Sequence, residues 1–104
     1  MALVTLAEAK EYLRVDTSDE DATIGVLLSS SRRLCVDVAR LTEEQWAAVD
    51  SDSDDTALAS IRETMKTAIL YALAYLFEHR EDADHHELTL TLRSLLFAVR
   101  EGVV

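Results

Sequence analysis

Proline is absent from the 104-residue chain, and glycine occurs only twice, at Gly25 and Gly102. Turns that need a fixed φ or a left-handed glycine are therefore scarce, which excludes an all-β architecture and leaves long helices uninterrupted. A single cysteine, Cys35, excludes an internal disulfide, and with no leader-like segment ahead of it the expectation is a reducing compartment. Long apolar runs are also missing. The longest, Ala68 to Phe77, has ten residues, about half of what a bilayer-crossing helix needs, so no membrane span is expected. Cations are outnumbered, ten Lys plus Arg against twenty Asp plus Glu, and the formal charge of −10 repels phosphate backbones. Sequence-specific DNA binding is not expected.

What is present is a globular balance of 49% apolar and 29% charged residues. The length predicts one domain, residues 1–104, with a radius of gyration of ~13 Å. A chain this short hides only about two-thirds of the surface it exposes when unfolded, so it gains stability from a partner.

Thr5 and Glu8 have the reciprocal capping-box spacing, which predicts a helix over Leu6 to Leu13. Asp16, Thr17, Ser18 and Asp19 are short-oxygen residues that cap helices or make turns, and a second helix is expected from there to about Arg40. Its apolar stripe is Ile24, Leu27, Leu28, Leu34, Cys35 and Val38, with Ser31 as the gap. Thr42 and Gln45 repeat the capping spacing and predict a third helix from Glu43 to about Val49, carrying Trp46 inward. Asp50 to Asp55, Asp-Ser-Asp-Ser-Asp-Asp, reads as an exposed loop.

From Thr56 onward, Leu58, Ile61, Met65, Ala68, Ile69, Ala72 and Leu76 hold a helical stripe and predict a long central helix. In its second half Leu70, Tyr71, Leu73, Ala74 and Phe77 make the other faces apolar too. Such a helix must be enclosed all round, either by its own bundle or by a second subunit. After an acidic loop, Glu81 to Glu87, Leu88, Leu90 and Leu92 alternate with threonines like a strand, whereas Leu92, Leu95, Leu96 and Val99 restore the helical period. A last helix from about Thr89 to Arg100 is therefore expected, with Gly102 as its stop. The fold class is an all-α bundle of four to five helices around the long central one.

Catalytic chemistry has no visible seat. Asp50, Asp52 and Asp54 open like a calcium loop, but the sixth and twelfth positions hold Asp55 and Ile61 where glycine and glutamate are required. His79, His85 and His86 with Asp82, Asp84 and Glu87 lack the i, i+4 histidine spacing of a zinc hydrolase. Cys35 lies on a buried stripe where its ionisation is suppressed. Two distant glycines cannot build a phosphate loop, and no serine sits in a nucleophile elbow. Ser51 is followed by Asp52, which breaks the Asp-Ser-Leu attachment motif of acidic carrier proteins. The acidic residues cluster in loops and helix starts without the regular spacing of a DNA mimic. No enzyme activity, cofactor or metal is expected.

The opening Leu3-Val4-Thr5-Leu6-Ala7-Glu8-Ala9-Lys10-Glu11-Tyr12-Leu13-Arg14-Val15-Asp16, followed by Asp19-Glu20-Asp21-Ala22 and Ile24, closely resembles the start of tailed-phage head-tail connector (adaptor) proteins, a family also described as phage DNA-packaging proteins. Ala68-Ile69-Leu70 through Tyr75-Leu76-Phe77-Glu78-His79-Arg80-Glu81 resembles that family's central helix, and Leu95-Leu96 with Arg100 its closing helix. Between Leu34 and Asp55 the chain departs from the pattern, with Trp46 and the acidic tract in place of a short connection.

The resemblance implies a non-enzymatic adaptor in the virion neck of a phage or prophage particle, made in the bacterial host cytoplasm. It implies a homo-oligomeric ring of about a dozen copies closed by head-to-tail contacts. The partners implied are the portal on one side and stopper or tail-completion proteins on the other. DNA would pass through the middle without sequence specificity, and the ring would help retain the packaged genome. The rival expectation is a small acidic helical interaction or regulatory module acting as monomer or dimer. Candidate interface residues are Leu70, Tyr71, Leu73, Tyr75 and Phe77 on the central helix and Leu96 and Phe97 on the last, with aromatics contributing large contact area.

Overall fold

The computed structural model describes residues 3–51 and 56–100. Among these residues there are six helices and no strand: α1 (Leu6–Leu13), α2 (Asp21–Ala39), α3 (Glu43–Asp50), α4 (Thr56–Glu78), α5 (His85–Leu95) and α6 (Phe97–Arg100). The all-α bundle is as expected, with one helix more than anticipated because the last one divides at Leu96. The radius of gyration is 13.5 Å.

Local chemistry sets the helix ends. Thr5 Oγ1 accepts from the Glu8 amide at 3.1 Å while Glu8 Oε1 accepts from the Thr5 amide at 3.1 Å, the reciprocal cap that starts α1. Thr42 and Gln45 do the same for α3, at 3.1 and 2.8 Å. With no glycine in place, α1 and α2 stop at Arg14 and Arg40, both left-handed at φ 60° and 57°. Each stop carries the paired carbonyl bonds of a Schellman turn: Val15 N–H to Lys10 O and Arg14 N–H to Glu11 O, then Leu41 N–H to Val36 O and Arg40 N–H to Asp37 O. Val15 and Leu41, the residues just past each stop, pack onto the core, so apolar contact offsets the left-handed strain.

The start of α2 is stabilised differently from the expectation. Glu20 stands at its N-cap without a side-chain cap bond. Ion pairs hold this end instead, Lys10 to Asp21 and Arg80 to Glu20, each at 2.7 Å. The carboxylates also lie where the helix dipole favours negative charge.

Helices α2 and α4 form the spine of the bundle, in more extensive contact than any other pair. Ile24, Leu28 and Cys35 of α2 and Met65, Ala68, Ile69, Ala72 and Leu73 of α4 are buried between the elements. Ser31, the gap in the α2 stripe, is fully buried and satisfied by donating to the Leu27 carbonyl at 2.8 Å. Leu88, Leu92, Leu96 and Val99 close the core from α5 and α6, with Leu3, Val4 and Ala9 from the N-terminal side and Val49 from α3. Trp46 is half-buried against this core.

The C-terminal helix begins earlier than the period-two pattern predicts. Asp84 caps it by accepting from the Glu87 amide at 3.0 Å, so His85, His86 and Glu87 are helical instead of belonging to the expected loop. The hydroxyls of Thr91 and Ser94 donate back to the carbonyls of Glu87 and Leu90, which satisfies them within the helix. The expected acidic loop at Asp50–Asp55 is described only at its edge, where Asp50 ends α3 and Ser51 caps it. Asp52, Asp54 and Asp55 lie outside the described residues, as does the expected stop at Gly102.

Candidate interface surface

The seven expected interface residues separate into three groups. Leu73 and Leu96 are fully buried inside the subunit, which corrects their assignment to a surface. The reason is spacing: Leu73 lies one turn beyond Ile69 on α4, and Leu96 one turn beyond Leu92, so both join the inward stripe. Leu70, Tyr75 and Phe77 are half-buried and packed against the core. Tyr71 and Phe97 are exposed, at 39% and 59%.

The aromatic end of α4 is engaged within the chain. Tyr75 stacks on His79 with ring centroids 4.3 Å apart. Its hydroxyl accepts from the Asp84 amide at 3.0 Å, pinning the turn that leads into α5. The Arg80 guanidinium lies 4.7 Å from the Phe77 ring centre while bonding Glu20, so one cation joins the end of α4 to the start of α2. The bundle thus encloses most of the all-round apolar half of α4, leaving Tyr71 outside.

Residues outside those seven complete the surface. Leu90 and Leu95 on α5 are 49% and 39% exposed, close in sequence to Phe97. Helical spacing from the buried Leu88 and Leu92 puts Leu90 outward, a signal hidden by reading the Thr-Leu alternation as a strand. Val26 of α2 and Tyr12 of α1 are exposed on the other part of the chain. A second missed feature is a groove of about 400 Å³ lined by Arg40, Arg93 and Arg100 with Leu34 and Val38.

Among the described residues, the buried core holds one thiol, that of Cys35. Burial pushes the Cys35 thiol up to about 12, so it stays protonated and behaves as a small apolar side chain. His79 spends its Nδ1 on the Tyr75 carbonyl at 2.9 Å. Among the described residues, no three His, Cys, Asp or Glu side chains converge as metal ligands.

One surface pair has a pH signature. Lys66 Nζ lies 2.6 Å from Glu8 Oε2 and, with the Thr5 amide bond, holds the Glu8 carboxyl below its ordinary 4.5. Because the folded value is the lower one, this stabilisation is complete above the unfolded value and is lost as pH falls through the folded one. Glu8→Gln keeps an acceptor for the cap but removes the charge. Both side chains are more than a third exposed, so solvent screening keeps the expected loss at neutral pH under about 1 kcal/mol. Thermal melts followed by circular dichroism should show the gap between wild type and variant closing below pH 4.5; a gap independent of pH would contradict this role.

A family model described as phage gp6-like head-tail connector protein matches residues 3–101. The chain belongs to this family. No curated protein and no solved structure matches it. The connector family is structural, and its members work at the head-tail junction among other phage head and tail proteins. No described helix of this connector is long and apolar enough to cross a membrane.

Proposed function

We propose that the chain is the adaptor subunit of a phage or prophage connector, assembling as a homo-oligomeric ring of about a dozen copies through head-to-tail contacts. The observation that carries this reading is the extent of the family match, which runs through all six helices and not through one motif. The ring sits in the virion neck, bound to the portal on one face and to stopper or tail-completion proteins on the other. DNA passes through its centre, and the ring helps retain the packaged genome.

Two physical features support it. Exposed apolar residues lie on both halves of the chain, Tyr12 and Val26 on α1 and α2 and Leu90, Leu95 and Phe97 on α5 and α6. Ring closure needs two different patches on each copy, and these supply candidates for both. The net charge of −10 suits a passage for DNA, because carboxylates facing a lumen give phosphates nothing to grip.

Native mass spectrometry of the chain, alone and mixed with the portal protein of the same phage, tests the reading. A large ring, or a monomer that becomes one on the portal, is the expected result. A monomer or dimer indifferent to the portal would overturn it and return the chain to the class of small acidic interaction modules.

A further inference from the structure

An arginine-lined groove in so acidic a chain calls for an occupant. The chain has ten cations, and three of them, Arg40, Arg93 and Arg100, come together from α2, α5 and α6 around about 400 Å³. Among the described residues, Asp37 is the only acidic one in the lining, and it is paired on its own helix with Arg33 at 3.7 Å. None of the three groove arginines joins an ion pair among the described residues. Arg100 Nε is buried without a hydrogen-bond partner among the described residues. The groove is not walled by charge alone: Leu34 and Val38 of α2 give it an apolar side. A guanidinium beside apolar wall is weakly hydrated and presents a planar fork that fits a carboxylate.

The chain carries the complementary segment. Asp50 to Asp55 places four carboxylates in six residues without an intervening cation. Asp50 and Ser51, the described residues of that segment, do not line the groove. Its N-terminal edge is fixed elsewhere: Asp50 Oδ1 accepts from the Leu3 amide at 2.8 Å, and Arg62 donates to the Val49 and Ser51 carbonyls.

We propose that the groove of one copy receives the Asp50–Asp55 segment of the neighbouring copy. The pair is heterologous, acidic segment to arginine groove, which is the contact type that propagates around a ring. The inference rests on the ring reading above. It also gives the departure from the family pattern between Leu34 and Asp55 a purpose, as the donor side of a charge-complementary joint. Duplex DNA is the competing anion, but the chain's overall charge repels it.

The test is fluorescence anisotropy of a labelled peptide spanning residues 48–58, titrated with the full chain carrying Asp52→Asn, Asp54→Asn and Asp55→Asn so that its own segment does not compete. Saturable binding is expected, weakened at least about tenfold by adding Arg93→Glu and by high salt. Arg14→Glu, the same change of net charge outside the groove, should leave binding within about twofold. Arg93→Gln, which removes the charge without reversing it, should weaken binding in the same direction, and circular dichroism checks that each variant is folded. Absence of saturable binding, equal effects of Arg93→Glu and Arg14→Glu, or displacement of the peptide by duplex DNA at lower concentration than by unlabelled peptide would overturn the proposal. If Arg93→Glu forms rings on the portal as wild type does, this joint is wrong while the connector reading stands. If wild type ignores the portal, the connector reading itself has failed.

Discussion

Leu73→Ala should lower the melting temperature of the isolated subunit by ~10–20 °C. Leu73 is fully buried in the core that α4 shares with its neighbours. Removing its isobutyl group forfeits the transfer free energy of the lost atoms and leaves a cavity among rigid neighbours. Such changes cost about 2–5 kcal/mol, a large part of the ~5–15 kcal/mol that holds a domain together. Tyr71→Ala, two residues away and 39% exposed, should change stability by no more than about 1 kcal/mol. Thermal melts of both variants at a concentration where wild type is monomeric separate the two sites. A Leu73→Ala subunit that melts like wild type and loses only its assembly would return Leu73 to the interface and contradict the fold described above.

That contrast marks how far the sequence could be read. The ranges of α1 and α3 were legible because each begins with a reciprocal cap, a two-residue signal that needs no tertiary information. The spine of α2 and α4 was legible because its stripes run for several turns. The start of α5 carried a usable signal, Asp84 three residues before Glu87, but alternating threonines obscured it. The break at Leu96 had none.

Surface assignment was harder, for a physical reason. Periodicity states which residues of a helix share a face, whereas the depth of that face depends on the elements laid over it. Phe77 reads as an anchor until Arg80 is seen against its ring. Leu90 reads as one of a strand-like series with Leu88 and Leu92 until helical geometry takes those two inside and leaves it exposed. Arg40, Arg93 and Arg100 form a groove only because α2 meets α5 and α6, and no local pattern links positions so far apart.

Phe97→Asp should abolish assembly while leaving the subunit folded. Phe97 is 59% exposed at the start of α6, with Leu90 and Leu95 exposed on the preceding helix. Covering a half-exposed phenyl ring removes about 100 Å² of apolar surface from water, worth up to about 3 kcal/mol per contact. An aspartate there forfeits that gain and adds the cost of burying an unpaired charge, so association should weaken by more than about a hundredfold. The melting temperature of the monomer should shift by only a few degrees, because the substitution sits outside the core. The form of the loss is as informative as its size. In a head-to-tail ring the variant keeps its second patch intact, so it joins a growing arc at one end and stops it there. Mixed with an equal amount of wild type, Phe97→Asp should therefore deplete wild-type rings and leave short arcs in native mass spectra. A two-fold pair meeting through this same patch would instead exclude the variant and leave wild-type dimers untouched, an outcome that would sink the ring.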